Sequence, residues 1–415
     1  MTPRRTSPSR NKDQDDVWVS RRRHPTARPA PTVARSNLYT WLVGLIAALN
    51  LVGLMMVLTA SSVSAFDTYG SSWHIARLQF LWVMAGAVIC FGVSRVDYRR
   101  WRKLAVPMLV VCVSLLVLVL VPGLGVKVNG ARRWFALGPL HLQPSELAKI
   151  ALVLFLANLL DRRVRRMDDW RVTVRPTLAV FSVIAVLLML EPNLGTTLVM
   201  GIVVLSVLFA AGAPVRPLAI VAISGGAVAS LLAVVAPYRM ARVMAFLDPW
   251  ATYKTSGYQN IQSLVGVASG GLTGVGIGGS RAKWGFLPEA HTDFIFAIIS
   301  EEFGLIGSLV VVGLFGALCI VGARTAMLAP DRFGSLVAAG ITVWFGGQAF
   351  VNIGAVLGLL PITGVPLPFV SYGGTALVVS MAAAGILLNV ARQVEAPLRP
   401  GAVKPLRRRV SAPVR

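Results

Sequence analysis

Ten stretches of roughly 20 residues, nearly free of charge, run through this 415-residue chain, and nothing else in it restricts the fold as much. Stretches of that length match the hydrocarbon thickness of a bilayer. Backbone N–H and C=O groups there must be satisfied within the segment, so long apolar runs cross as helices. They begin near Leu38, Leu78, Leu104, Leu142, Pro176, Leu194, Pro217, Phe294, Gly334 and Leu367. The pattern predicts an all-α polytopic membrane protein of about ten transmembrane helices with both termini on one side. The fifth stretch, Pro176 to Leu190, is short and ends at Glu191-Pro192-Asn193, where a tight turn is expected. With 55% hydrophobic and 14% charged residues and a mean hydropathy of +0.70, an ordinary soluble domain is excluded.

The net charge of +23 would suggest nucleic acid in a soluble chain, but its placement argues otherwise. With the N-terminus inside, the segments on that side hold 30 of the 40 Lys and Arg residues. Positive residues collect on the cytoplasmic side of membrane proteins. The basic balance therefore reports topology and attraction to anionic headgroups. Residues 1–37 read as a disordered basic cytoplasmic tail, 38–392 as the membrane domain and 393–415 as a second basic tail. Cys90, Cys112 and Cys319 fall inside spans, so neither a disulfide nor a thiol–metal site is expected.

Two loops on the outer side are long, residues 122–145 and 237–292. Long loops in compact proteins are usually functional or disordered. The second is rich in Trp, Tyr, Phe and Gly, which favours order and function. Its glycine run, Ser269 to Ser280, has no Gly-Lys-Ser/Thr ending and no preceding strand, so a phosphate loop is rejected in favour of close backbone packing or a re-entrant turn. Residues 361–374 interrupt apolar sequence with prolines and glycines and are expected to help wall a site.

The second loop ends in Pro288-Glu289-Ala290-His291-Thr292-Asp293 and runs straight into an apolar span that also holds Glu301 and Glu302. Ionisable residues at such a place mark a functional site by default. Thr292 predicts an N-cap with Asp293 in the first helical turn, where the helix dipole favours a carboxylate. Asp293 either caps that helix or acts as a general base on a hydroxyl, and the dense titratable cluster favours the second. At about 100° per residue, Glu301 would sit roughly 80° from Asp293 and Glu302 roughly opposite, so at least one should pair inside the bundle. Glu146 and Lys149, spaced i,i+3, either form an internal ion pair or leave Lys149 to meet an anion. Arg132, Arg133, Arg239, Arg242, Arg281 and Lys283 lie on the side that is normally depleted of cations, where a phosphate or pyrophosphate would need such donors.

The chain resembles the SEDS family (shape, elongation, division and sporulation) of membrane proteins from Asn37 to Arg392, the division branch more than the elongation branch. The resemblance rests on Asn129-Gly130-Ala131-Arg132-Arg133-Trp134, Gln143-Pro144-Ser145-Glu146-Leu147-Ala148-Lys149, Glu191-Pro192-Asn193-Leu194-Gly195-Thr196 and Phe246-Leu247-Asp248-Pro249-Trp250. It continues through Gly257-Tyr258-Gln259, Leu287-Pro288-Glu289-Ala290-His291-Thr292-Asp293 and Pro366-Leu367-Pro368-Phe369-Val370-Ser371-Tyr372-Gly373-Gly374. Asn193 stands where this motif often has Asp, so that motif is taken as structural.

The resemblance implies a peptidoglycan glycosyltransferase. It would polymerise undecaprenyl-linked lipid II at the outer face of the cytoplasmic membrane, at the division septum. A class B penicillin-binding transpeptidase and other divisome proteins would be its partners. Asp293 corresponds to the family's essential loop aspartate and would be the catalytic base. Arg133, Lys149, Arg242 and Lys283 are expected to steady the pyrophosphate, with or without a divalent cation (Mg²⁺ or Mn²⁺). Trp134, Glu289, His291 and Ser371 complete the expected substrate contacts. The alternatives are a lipid flippase or other transporter, and a non-catalytic divisome scaffold.

Overall fold

The computed structural model describes residues 37–395 apart from Asn129, Pro139 and Ala236; both terminal tails lie outside the described residues. Twelve α-helices appear among the described residues. They are α1 (Leu38–Tyr69), α2 (His74–Arg95), α3 (Tyr98–Leu120), α4 (Pro144–Arg162), α5 (Trp170–Leu190), α6 (Leu194–Ala210), α7 (Val215–Val235), α8 (Pro237–Leu247), α9 (Gly257–Ser269), α10 (Ile295–Leu328), α11 (Arg332–Val356) and α12 (Gly374–Glu395). Eight of them are long and apolar enough to cross a membrane. The 17-residue α6 is shorter, and α4 carries Glu146, Lys149, Asp161 and Arg162. Both pack inside the bundle, α4 against α3, α6, α11 and α12, which lets α4 keep its charges away from lipid. With these two the bundle has ten spans.

Three boundaries differ from the sequence expectation. Helix α5 starts at Trp170 and keeps Pro176 in its interior. Proline cannot bond to the carbonyl four residues back, and Arg163 Nη1 supplies the donor for that Val172 oxygen. Helix α12 starts at Gly374, not Leu367, because Pro366, Pro368 and a left-handed Phe369 (φ 64°) are incompatible with a helix. Loop 122–145 is not purely irregular. It holds a three-stranded antiparallel meander, β1 (Val126–Val128), β2 (Ala131–Leu137) and β3 (Leu140–Leu142), with Lys127 opposite Arg132 and Ala136 opposite His141.

The 34-residue α10 is two helices in series, broken at Gly304 (φ 64°, ψ −158°). The glycine run pairs with groups on both sides of the break. Val275 and Gly276 N–H donate to Glu301 O and Glu302 O at 3.0 and 3.1 Å; Leu305 and Ile306 N–H donate to Gly271 O and Leu272 O at 2.9 and 3.2 Å. A Cβ on Gly274 would lie 2.1 Å from Glu302 O, so only glycine lets the two chains approach this closely. Irregular backbone at membrane depth survives where protein buries it, and this one is buried. Residues 294–302 are all buried, whereas Leu305, Ile306 and Leu309 are exposed.

The two ends of the bundle differ. One holds the β-meander, the 191–193 turn, the segment from α8 to α10, and residues 357–373. The other holds the turns at 96–97, 163–169, 211–214 and 329–331. Cys90 and Cys112 are buried in α2 and α3, and Cys319 is half-buried in α10; all three are free.

Candidate active site

The site forms where the two long loops meet residues 361–374. Asp293 lies in the turn just before α10, which begins at Ile295 with Phe294 as its N-cap. This corrects the expectation of a Thr292 cap. The Thr292 hydroxyl instead bonds back to Glu289, to its backbone oxygen at 3.0 Å and its Oε2 at 2.9 Å. Glu289 itself is left-handed (φ 58°), a strained conformation for a side chain of its kind, held by amide donors from Thr292 and Phe294. From the bundle side, Asn352 of α11 donates through Nδ2 to both Asp293 O (2.7 Å) and Val365 O (2.8 Å). One amide thus ties the aspartate's backbone to the wall opposite it.

Two arginines converge on the same carboxylate. Arg242 of α8 donates to Ile362 O at 3.0 Å. Arg133 of β2 donates to Glu191 O at 2.8 Å and Pro192 O at 2.6 Å. These carbonyl bonds orient two planar, permanently charged groups. Gly364 lies against both Asp293 and Arg242. A Cβ built there would stand 3.4 Å from Asp293 Oδ2 and 3.9 Å from Arg242 Nη1. Beside Arg242 opens a cavity of about 170 Å³ lined by Ser256, Gln259, Asn260 and Ile362.

Asp293 is half-buried at its surface and surrounded by protein atoms elsewhere. Burial, with the Glu289 charge added, raises its carboxyl to about 6; Arg242 and Arg133 pull in the opposite direction without cancelling the rise. The His291 imidazole is lowered by burial against the opposing pull of Glu289. Its ring centroid lies 5.6 Å from that of Tyr372, whose N–H donates to His291 O at 3.0 Å. Glu191, fully buried at the end of α5, is raised by burial to about 8 despite the opposing Arg133 charge. Asn193 N-caps α6 through Thr196 N–H at 3.3 Å, in keeping with a structural role for its motif.

The remaining expected contacts stand apart. Lys149 is buried in an ion pair with Glu146 (2.8 Å), donates to Gln348 Oε1 (2.9 Å) and lies over the Trp344 ring, so the internal pair describes it and the anion-facing expectation does not. The Ser371 hydroxyl is buried and accepts from Leu367 N–H at 2.8 Å, closing a turn in the site wall, so it too departs from an expected substrate contact. Lys283 donates to Gly278 O and faces Glu302 across the glycine run; it is not among the charges acting on Asp293. Trp134 is half-buried in β2 opposite Val126.

Glu301 organises the glycine run instead of joining Asp293. Its carboxylate accepts from the Ser280 hydroxyl and from the N–H groups of Arg281 (2.9 Å) and Ala282 (3.3 Å). Among the described residues, no group of three His, Cys, Asp or Glu side chains is placed to hold a metal.

Gln348 and Asn352 escaped the sequence reading. Gln348 accepts from Lys149 and Trp344 (2.8 Å) and donates to Pro366 O (2.8 Å), so α11 carries polar residues at i, i+4 that clamp the site wall. The signal was present: two amides, four apart, inside a span face packed with apolar side chains.

A broken helix, two structured loops and an arginine-flanked carboxylate at one end of a ten-span bundle define a polytopic membrane protein with a polar site at its rim. The FtsW/RodA/SpoVE cell cycle protein family matches residues 40–396, and the chain belongs to that family. It is 41% identical over 377 residues to the probable peptidoglycan glycosyltransferase FtsW of Legionella pneumophila, covering 89% of this chain and 95% of that one. It is 42% identical over 341 residues to stage V sporulation protein E of Bacillus subtilis, covering 82% and 93%. Among solved structures, a chain of a peptidoglycan synthase complex that couples polymerization and crosslinking superposes with a TM-score of 0.69 at 32% identity, covering 85% and 97%. The rod-shape-determining protein RodA of Thermus thermophilus superposes with a TM-score of 0.63 at 31% identity, covering 85% and 96%.

Proposed function

We propose that this chain is a peptidoglycan glycosyltransferase that polymerises lipid II into β-1,4 glycan strands during cell division, with Asp293 as general base. The observation that carries the residue assignment is the convergence of Asp293, Arg133 and Arg242 from three separate segments. The donor sugar carries a lipid-linked pyrophosphate, already a good leaving group. Transfer therefore needs a base for the acceptor hydroxyl and positive charge at the departing oxygens, without a glycosidase's second acid. A carboxyl poised at about 6 is largely ionised at neutral pH yet basic enough to take a proton.

Asp293 removes the proton of the acceptor 4-hydroxyl as that oxygen bonds to the donor anomeric carbon. The bond to pyrophosphate breaks on the opposite face, inverting an α-linked donor to a β link. Arg242 and Arg133 stabilise charge on the departing pyrophosphate. The cavity beside Arg242 supplies hydroxyl and amide groups suited to a sugar. Mg²⁺ characteristically takes one or two carboxylates plus substrate phosphates, and Glu289, whose charge acts on Asp293, would be the protein ligand for such an ion, leaving Asp293 as the base.

The distribution of Lys and Arg supports placing this end of the bundle outside the cytoplasmic membrane. The likeness to FtsW relatives within a cell cycle family, and to a chain of a synthase complex that also crosslinks, supports action at the septum beside a class B transpeptidase. Full-length protein, purified with that partner and given lipid II, should yield glycan strands, and Asp293→Asn should abolish them while the protein stays folded. Lipid translocation in sealed liposomes without any glycan product would establish the transporter alternative; neither product would leave the scaffold.

A further inference from the structure

At the opposite end of the bundle, a cavity of about 760 Å³ opens between the end of α4 and the start of α5. Six arginines line it: Arg162, Arg163, Arg165, Arg166, Arg171 and Arg175. We propose that this cavity binds the headgroup of an anionic phospholipid carrying two phosphates, of the diphosphatidylglycerol type.

Charge placement in a membrane protein demands cations on this side, but it does not demand that six of them surround one space. Like charges so gathered repel, and no carboxylate is among the residues lining the cavity. Asp161 is paired with Arg102 at 2.7 Å, and Asp169 caps α5 by accepting from Arg171 N–H at 2.9 Å. Neither Asp168 nor Asp169 lines the cavity. Residues 161–175 contain no lysine, so every cation there is a guanidinium, the group that grips phosphate bidentately. Six such groups exceed what a single phosphate accepts.

The rest of the lining selects a lipid over a soluble polyanion. Val172, Pro176 and Ala179 continue the cavity along α5. Trp170, exposed at the start of α5, is the kind of residue that sits at headgroup level. Ala179 lies about 13 Å further along the helix axis, among residues that face hydrocarbon. A polar mouth that runs into an apolar floor fits a headgroup with its acyl chains. Arg163, bonded to the Val172 carbonyl that Pro176 leaves unpaired, fixes the wall between the two. This site is separate from the glycosyltransferase reading and stands or falls independently of it.

The test uses full-length protein in neutral detergent, titrated with diphosphatidylglycerol and followed by native mass spectrometry. Substituting Arg165→Gln, Arg166→Gln, Arg171→Gln and Arg175→Gln together should weaken retention at least ~10-fold. The same number of charges removed elsewhere at this end (Arg100→Gln, Lys103→Gln, Arg216→Gln and Arg324→Gln) should weaken it less than ~3-fold. Equal losses in the two variants would overturn the site in favour of diffuse surface attraction. Two competition arms on the unaltered protein decide the matter even if the first variant misfolds. Phosphatidylglycerol binding as tightly as diphosphatidylglycerol, or tripolyphosphate displacing the lipid at matching concentrations, would also overturn it.

Discussion

The two ends of this bundle treat their carboxylates in opposite ways. At the end carrying Asp293, arginines are directed at backbone carbonyls: Arg133 at Glu191 and Pro192, Arg239 at Met189 (3.0 Å) and Arg242 at Ile362. The carboxyls there are raised by burial, Asp293 to about 6 and Glu191 to about 8. At the other end carboxylates meet cations directly, Asp331 with Arg99 at 2.8 Å and Asp161 with Arg102 at 2.7 Å. Burial pushes Asp97 up as well, but hydrogen bonds from Arg99 N–H and Gln393 and the Arg99 charge outweigh it, and its carboxyl ends below the usual range. At one end the carboxyls stay raised beside an opening, and at the other the carboxyls are satisfied by cations and hydrogen bonds. Perturbed groups in a cleft are the expected mark of chemistry, while relaxed ones serve the fold.

The largest expected effect of breaking this contrast is at Asp293. Asp293→Asn should reduce lipid II polymerisation by ~10²–10⁴-fold, the range for losing a general base. It should also leave thermal stability equal or higher. A carboxyl raised in the folded state favours folding when protonated, and that contribution is lost as pH rises through about 6. Removing the charge at neutral pH therefore relieves the fold. A destabilised, inactive Asn variant would contradict the comparison.

Next is the pair inside the bundle. Lys149→Met leaves Glu146 buried and unpaired, a change worth about 3–5 kcal/mol of stability. Polymerisation measured per folded molecule should hold, and adding Glu146→Gln should recover part of the stability. Loss of turnover in well-folded protein would return Lys149 to the substrate.

The fate of Lys149 shows where sequence reading reaches and where it stops. The spans were legible because lipid exacts a cost from every charged or unpaired group, and that cost is written residue by residue. The position of Asp293, just ahead of an apolar span in dense polar company, was legible for the same reason. Lys149 and Ser371 were assigned to substrate because their partners, Gln348 and Trp344 for one and Leu367 N–H for the other, become neighbours only after folding. The carbonyl acceptors of Arg133 and Arg242 leave no trace in side-chain identity. Nor did the break at Gly304, since one glycine in an apolar span reads like many others until the glycine run is seen to complete its hydrogen bonds.

Arg242→Gln should sharpen the contrast with a smaller effect. It removes a charge that opposes the rise of the Asp293 carboxyl and a donor for the leaving group. Turnover should fall about 10- to 100-fold. Since the base works when ionised, the rate of the unaltered enzyme should rise with pH through about 6, and the midpoint should move upward in the variant. A rate–pH profile of the purified complex reads both. An unmoved midpoint would mean that Arg242 does not act on Asp293.

The smallest effect is expected at the relaxed end. Asp331 accepts from the Tyr98 hydroxyl at 2.7 Å, from Arg99 at 2.8 Å and, as the cap of α11, from Gly334 N–H at 2.8 Å. Asp331→Ala removes the acceptor of all three bonds, which should cost about 1–3 kcal/mol of stability. Turnover per folded molecule should not change, because this network bonds only to groups at its own end. Thermal unfolding in detergent, run beside the polymerisation assay, separates the two. Acid gives the same separation without a mutation. Asp97, lowered in the fold, contributes stability that is present above the ordinary Asp value of about 4 and is lost as pH falls through its own lower one. Between about 4 and about 6 the protein should therefore lose activity while staying folded, and should regain it on return to neutral pH. Unfolding that tracks the activity loss through that window would show the two ends to be one electrostatic unit.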